Sequence, residues 1–367
     1  MWNFRQFSED FLKFSGTTTD LDLDQLSTSD TEEQIVNKIL EQDGSWSIVY
    51  YQATLGLLFI GRDVFGRQSL VVNFATGDFG VMTKGDGEWV EVPFGQVTVI
   101  GKELDARFYS YLDEYPQDVC EAYFAGFRDV QKFKTDKKSE LLNVSRSVVV
   151  EQKEPAELLE RVVKATKNLL RKYTDSHLGV CLSGGVDSTF VAHVAHLSTS
   201  PAAHIDLINV AFGENYEAFA AAPDRSRAHA AIASLRVAYP DRHFRLILVN
   251  VKSDELEEMR RLHIADAARP ATSVLDDSLA CVLWFAVRAK GVDAETGEPC
   301  DSPATTLLLG SGADELLAGY ARHRTRFEKE KIVENVAEEC ENELRRLGSR
   351  NGGRDARVAA QLGKTIL

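Results

Sequence analysis

Residues 178–190 read Leu-Gly-Val-Cys-Leu-Ser-Gly-Gly-Val-Asp-Ser-Thr-Phe, an apolar run that breaks off in Ser-Gly-Gly-x-Asp-Ser. A helical spacing (Phe190, Val191, Val194, Ala195, Leu197) stands directly behind it. No other stretch constrains the chain as tightly, because it predicts a buried strand, a tight loop and a helix N-terminus in that order. Gly184 and Gly185 let the backbone turn sharply and present N–H groups to a ligand with no Cβ in the way. Backed by the positive end of a helix dipole, such N–H groups suit phosphate. Ser183 and Ser188 can add hydroxyl donors, whereas an ionised Asp187 only accepts. A carboxylate beside a phosphate cradle makes sense when Mg²⁺ lies between them. A Ser/Asx-rich helix cap is the plainer alternative; the strand–loop–helix context favours phosphate.

No G-x-x-x-x-G-K-[ST] loop accompanies this segment. Ser183 to Ser188 resembles the pyrophosphate loop (PP-loop) of the ATP pyrophosphatases, adenine nucleotide alpha-hydrolase-like folds that split ATP between its α and β phosphates to adenylate a substrate. A second segment, Leu309-Gly310-Ser311-Gly312-Ala313-Asp314-Glu315-Leu316-Leu317-Ala318-Gly319-Tyr320, narrows the family. It resembles the Gly-Glu-Gly-Ser-Asp-Glu-x-x-x-Gly-Tyr segment of asparagine synthetases, and Ala321-Arg322-His323-Arg324 after it points to a divergent branch. The resemblance runs from about residue 29 to 358.

The chain before the phosphate loop divides in two. Ile35, Ile39 and Leu40 space a helix over 31–40, with Asp30 or Thr31 as its cap. Short runs bounded by turn residues follow at 46–51, 57–60, 69–74, 79–82, 89–92 and 96–100, with turns at 75–78 and 84–87. Gly61-Arg62-Asp63-Val64-Phe65-Gly66-Arg67 resembles the R-D-x-x-G segment of the glutaminase domain that precedes asparagine synthetases. Ser29-Asp30-Thr31-Glu32 resembles the segment whose Asp holds the glutamine ammonium there. That class of enzyme uses an N-terminal Cys, and here Met1-Trp2 opens a chain with no Cys before Cys120. Indole cannot attack an amide. Residues 1–110 are therefore expected to form a β-rich partial Ntn glutaminase-like (glutamine amidotransferase type 2-like) domain without glutaminase activity. A β-rich accessory domain with no ligand stays open as the alternative. Residues 1–30 are expected to be partly loose. Residues 111–153 read as a linker, with a solvated basic run at 131–140 and a strand-like 147–150.

From Pro155 the period changes to that of an amphipathic helix (Leu158, Leu159, Val162, Val163, Leu169, Leu170). Beyond the loop, strands at 205–212, 244–251 and 305–309 alternate with helices at 226–235, 255–262 and 275–289. Alternation of this kind predicts an α/β doubly wound parallel sheet over residues 154–367 with right-handed crossovers. Ligands then bind at the carboxyl ends of the strands. Both Ser183–Ser188 and Gly310–Glu315 follow strands directly, so they can converge.

The resemblance implies ATP, with its pyrophosphate on the loop from Leu182 through Ser183, Gly184, Gly185, Val186 and Asp187 to Ser188. Adenine would lie near Leu182 and around Val210 to Phe212, Asp224 and Arg225 near the phosphates, and Gly310, Ser311 and Gly312 on the facing side. Asp187 and Asp314 would share Mg²⁺. The implied reaction is adenylation of aspartate and its amidation by an ammonia source to asparagine, with AMP and pyrophosphate released. Asp224 reads equally as a carboxylate at a helix N-terminus. Family members carry Glu where Ser311 stands, and a hydroxyl is a poor base at neutral pH. They also continue past Gly353-Arg354-Asp355 into an Arg-x-Pro-Phe-Leu-Asp stretch, so the chain reads as truncated at both ends. Two other functions stay open: a nucleotide-binding pseudoenzyme with a regulatory or scaffolding role, and another adenylating enzyme of the PP-loop group.

A net charge of −14 argues against a nucleic-acid backbone as partner, which requires clustered Lys and Arg. No apolar run reaches the length of a membrane span, and no signal-peptide layout opens the chain. Five scattered cysteines (Cys120, Cys181, Cys281, Cys300, Cys340) form no C-x-x-C pair. That fits a reducing compartment, so a cytoplasmic location is expected. His193 and His196 read as ordinary helix surface, Asp276 and Asp277 as first-turn carboxylates, and 328–346 as one solvated helix.

Overall fold

The computed structural model describes residues 9, 11–16, 26, 29–42, 44–84, 87–110, 117–134, 155–171, 177–270 and 273–367. Its contacts divide the chain into two compact units. One gathers Met1–Val149, Arg269–Ala271 and Asp314–Arg357; the other gathers Val150–Ala268, Thr272–Ala313 and Val358–Leu367. The stretch 154–367, expected as a single domain, thus contributes to both.

The first unit is built on a six-stranded sheet. Strand β1 (Phe11–Gly16) pairs antiparallel with β2 (Trp46–Gln52), which pairs with β3 (Leu57–Arg62). Strands β4 (Val71–Asn73), β5 (Asp78–Gly80) and β6 (Val90–Glu91) form a separate three-stranded sheet. The large sheet continues from β3 through β7 (Gln96–Ile100) and β8 (Asp105–Ser110) to β9 (Asp129–Lys134), which lies parallel to β8. Helix α1 (Glu32–Leu40) opens with a capping box: Thr31 Oγ1 accepts from Gln34 N at 3.3 Å, and Gln34 Oε1 accepts from Thr31 N at 2.8 Å. Its buried Ile35, Val36, Ile39 and Leu40 pack on Trp46, Ile48, Tyr50 and Phe59. The alternate residues Val49, Tyr51, Leu58 and Ile60 pack with Leu70, Val72 and Val92. With both faces covered, β2 is buried along its whole length, which is why its sequence is apolar without alternation.

Two expectations are refined here. Residues 1–30, expected to be partly loose, supply β1, which pairs with β2 by backbone bonds. The presumed linker holds α2 (Gln117–Phe124) and β9, the latter covering part of the basic run 131–140. Residues 135–140, the strand-like 147–150 and positions 85–86 of the second turn lie outside the described residues. The turn at 75–78 forms as read: Gly77 takes φ +80°, and Asn73 Oδ1 accepts from the N–H groups of Ala75 and Thr76.

In the second unit β10 (His177–Cys181), β11 (His204–Phe212), β12 (Phe244–Val251), β15 (Thr306–Leu308) and β16 (Thr365–Ile366) run parallel, in the order β12-β11-β10-β15-β16. An antiparallel hairpin, β13 (Lys290–Asp293) and β14 (Pro299–Asp301), extends the β12 edge. Short polar strands of this kind carry no apolar signature. Ile205 and Leu207 face α4 (Val186–Ser198) and α6 (Pro223–Ala238); Ile208, Ile247 and Val249 face α9 (Val274–Arg288). Helices on both faces make the sheet doubly wound. Between these elements α3 (Pro155–Leu170), α5 (Tyr216–Ala221), α7 (Ser253–Met259) and α8 (Ala265–Ala268) complete the layer.

His193 and His196 are not free surface. Tyr239 Oη hydrogen-bonds His193 Nδ1, Arg242 Nε donates to His196 Nδ1 at 2.9 Å, and Tyr239 stacks on His196 at 3.8 Å. The stretch 328–346 is likewise not one helix. After α10 (Ala313–Leu317) come α11 (Ala321–Glu330) and α12 (Val333–Leu347), parted where Lys331 takes the left-handed conformation at φ +57°. Helix α13 (Gly353–Gln361) follows.

Candidate nucleotide site

The segment Ser183–Gly185 leaves the carboxyl end of β10, and α4 begins at Val186 with Gly185 as its cap residue. The first helical bond runs from Thr189 N to Gly185 O at 3.1 Å, and no side chain caps the helix. The N–H groups of Val186, Asp187 and Ser188 therefore find no acceptor within the helix and point off its positive end. Ser183 Oγ lies 3.1 Å from Ser188 Oγ, so both hydroxyls border the same opening.

Gly184 explains why glycine stands there. Its φ is +77°, and a Cβ would overlap the backbone of Arg227 and Ala228 in α6. Gly184→Ala is therefore expected to push the loop off α6. The left-handed backbone alone costs about 1–2 kcal/mol, and the overlap adds to it. A thermal melt should shift downward and an ATP titration should lose at least about tenfold in affinity; an unchanged titration would mean the loop geometry is irrelevant to binding.

The second motif reaches the loop. β15 lies parallel beside β10, with Gly179 opposite Leu307 and Val180 opposite Leu308, so both chains leave the sheet at the same edge. A Cβ built on Gly310 would stand 3.5 Å from Asp187 Cβ and 3.6 Å from Ser188 N. Ser311 is exposed, and Gly312 takes φ +93°. Val210 and Phe212 close β11 next to the loop, with Phe212 edge-on to Phe285 at 6.1 Å. Leu182, by contrast, is buried and its N–H is spent on Ile208 O at 2.8 Å. A cleft of about 460 Å³ opens between α4 and α6 behind the loop, lined by Gly184, Gly185, Phe190, His193, Leu235 and Tyr239.

Asp314 belongs to the other unit, in the first turn of α10. Its carbonyl accepts from Gly319 N at 2.9 Å, and a Cβ on Gly319 would overlap its carboxylate. The next residue, Glu315, is buried and accepts from Tyr320 Oη at 2.6 Å. Burial first, and then that bond, push the Tyr320 phenol well above its usual value. Among the described residues no three His, Cys, Asp or Glu side chains gather into a metal site. The half-buried carboxylate of Asp187, an oxygen donor at the mouth of an N–H cradle, has the chemistry Mg²⁺ takes.

Other sequence-derived candidates have local roles. Asp224 sits in the first turn of α6, paired with Arg227, as a carboxylate at a helix N-terminus does. Asp276 and Asp277 occupy the first turn of α9, where Asp277 binds Arg260 at 2.9 Å. Asp30 pairs with Lys38 at 2.6 Å. Arg62 and Asp63 of the R-D-x-x-G turn are wholly buried: Arg62 donates to the carbonyls of Gln68, Val92 and Gly66, and Asp63 accepts from the N–H groups of Trp46, Phe65 and Arg67. One residue near the loop escaped sequence reasoning, Asn209. Asn209 Nδ2 donates to Leu182 O at 2.8 Å. The signal was there: Asn209 is a polar residue inside the run Asp206-Leu207-Ile208-Asn209-Val210-Ala211.

Among the described residues no helix is long and apolar enough to cross a membrane. The family model described as asparagine synthase matches residues 157–365. Asparagine synthetase domain-containing protein 1 of Homo sapiens is 28% identical, across 99% of this chain and 74% of that one. An asparagine synthetase domain-containing protein of Drosophila melanogaster is 35% identical over 52% of this chain and 34% of its own length. A solved NH3-dependent NAD synthetase from Campylobacter jejuni, in complex with nitrate, is 13% identical over 46% of this chain and 62% of its own, with a TM-score of 0.26, too loose a superposition to carry weight. The match over more than half of the chain, on a doubly wound sheet with both motifs at one edge, decides the family: this chain belongs to the asparagine synthase family.

Proposed function

We propose that the chain binds ATP with Mg²⁺ and acts as an amide ligase of the asparagine synthetase type. The observation that carries the reading is the approach of Gly310 to Asp187 and Ser188 at the mouth of an uncapped helix. The two motifs share one edge of the sheet although more than a hundred residues separate them. The N–H groups of Val186, Asp187 and Ser188, with the hydroxyls of Ser183 and Ser188, hold the β and γ phosphates as the leaving group. A carboxylate oxygen of aspartate attacks the α-phosphorus, the bond to the bridging oxygen breaks, and pyrophosphate departs. Ammonia then attacks the acyl carbon, loses a proton, and expels AMP, leaving the amide. Mg²⁺, held by Asp187, would neutralise charge on the phosphates. The β-rich unit is read as an Ntn-type domain.

Ser311 favours a second reading, a nucleotide-binding pseudoenzyme, because a serine there cannot serve as the base that deprotonates ammonia. The experiment is pyrophosphate release from ATP with and without aspartate and ammonia. Release that requires aspartate supports the ligase. ATP binding without release supports the pseudoenzyme, and release driven by another acceptor points to a different adenylating enzyme.

A further inference from the structure

Among the described residues Arg225 has no counter-ion. It stands in the first turn of α6 with 4% of its surface exposed. Its guanidinium turns down onto the end of β12, where Nη2 donates to Asn250 Oδ1 at 2.6 Å and to the Val249 carbonyl at 3.4 Å. Both acceptors are neutral. Among the described residues its buried Nη1 has no partner. With burial the sole influence on it, the guanidinium falls from its ordinary value to about 10. Holding such a charge inside costs free energy that neutral acceptors recover only in part, and a purely structural position would be better filled by an apolar side chain of similar length.

The surroundings say what the charge is for. Asn209, 1% exposed, sits on the neighbouring strand; its amide donates to Leu182 O at 2.8 Å and reaches Asp224 O at 3.4 Å, while Oδ1 has no partner among the described residues. Ala211 stands opposite Asn250 in the β11–β12 register, so Asn209 and Asn250 lie on the same face of the sheet, the one covered by α6. A polar layer of Asn209, Arg225 and Asn250 therefore lies directly below the entry to the phosphate loop. The loop in turn leans on α6 through Gly184.

We propose that Arg225 is the buried counter-charge of the anion site, holding the polyphosphate of a nucleotide on Ser183–Ser188 by its field rather than by contact. Asn209 is the positioning residue that ties the loop entry to the turn bearing it. The inference rests on reading that loop as a polyphosphate site. A low-dielectric interior carries such a field well, whereas water would damp it. It also accounts for retaining a charge that the empty fold does not use.

The test is calorimetric titration of the full chain with ATP, ADP, AMP and adenosine, all with Mg²⁺, for the unaltered protein, Arg225→Met and Arg225→Lys. A unit charge on the order of 10 Å from another at an effective dielectric of about 20 is worth roughly tenfold in binding. Arg225→Met should therefore lose about that for ATP, progressively less for ADP and AMP, and nothing for adenosine. It should also melt no lower than the unaltered chain, because an uncompensated charge has left the interior. Arg225→Lys should keep most of the ATP affinity. Arg225→Gln, which retains a donor for Asn250 without the charge, repeats the comparison should the Met variant not accumulate. If adenosine weakens as much as ATP while the melt falls, Arg225 is a strut and the proposal is overturned. If ATP affinity is unchanged, the proposal is overturned and the loop reading stands. If the unaltered chain binds none of the four, the loop reading falls and takes this inference with it.

Discussion

Asp187→Asn should abolish Mg²⁺-dependent pyrophosphate release, a loss of at least roughly 10²–10³-fold, the scale on which removal of one preorganised electrostatic partner acts. Asparagine keeps the size and one oxygen of aspartate but removes the charge that, on the proposed reading, draws Mg²⁺ to the mouth of the loop. The fold should barely notice. Asp187 is a half-buried first-turn carboxylate, and such a residue contributes about 0.3–1 kcal/mol through the helix dipole. The measurement is a coupled pyrophosphate assay with a thermal melt of the same preparation. Full turnover by Asp187→Asn would remove it from the chemistry altogether.

The largest expected effect on stability lies in the other unit, at Glu91. Its carboxylate meets Arg62 Nη1 at 3.2 Å and Arg357 Nη1 at 2.9 Å, and the two arginine side chains are 0% and 1% exposed. Burial pulls the Arg62 guanidinium below its usual value, and Glu91 is the foremost influence opposing that pull. Arg357 Nη1 also donates to Ser69 Oγ at 3.0 Å. Glu91→Gln preserves the shape and one acceptor but leaves two buried guanidiniums without a carboxylate between them. Breaking a buried pair in this way costs about 3–5 kcal/mol, a large share of the stability of an ordinary domain. Denaturant unfolding would read it as a lower midpoint at unchanged slope. A loss under about 1 kcal/mol, the worth of an exposed pair, would show that the other hydrogen bonds of the two arginines suffice for both.

Most of the α/β unit was legible in the sequence. Its central strands are buried on both faces and read as continuous apolar runs, its helices carry an apolar stripe, and the periods differ enough to tell one from the other. Gly184 was legible too, because a left-handed turn packed against another helix demands a missing Cβ. Legibility failed where backbone pairing or distant neighbours decide. β1, β9 and the β13–β14 hairpin are held by ladder bonds at sheet edges, which leave no period in the side chains. His193 and His196 looked solvated because Tyr239 and Arg242, which cover them, arrive from another helix and the turn beyond it.

What the sequence by itself determined is the chemistry of the loop: which backbone could turn there, which side chains could donate and which could only accept. Those are local properties of Ser183 to Ser188. Only the tertiary structure decided that residues 314–357 gather with the N-terminal strands, and that Arg225 is left inside with, among the described residues, no carboxylate beside it. The reason is physical. Whether a charge is compensated depends on which groups the fold brings within a few ångströms and how much water it removes, and neither is a property of the residues adjacent in the chain.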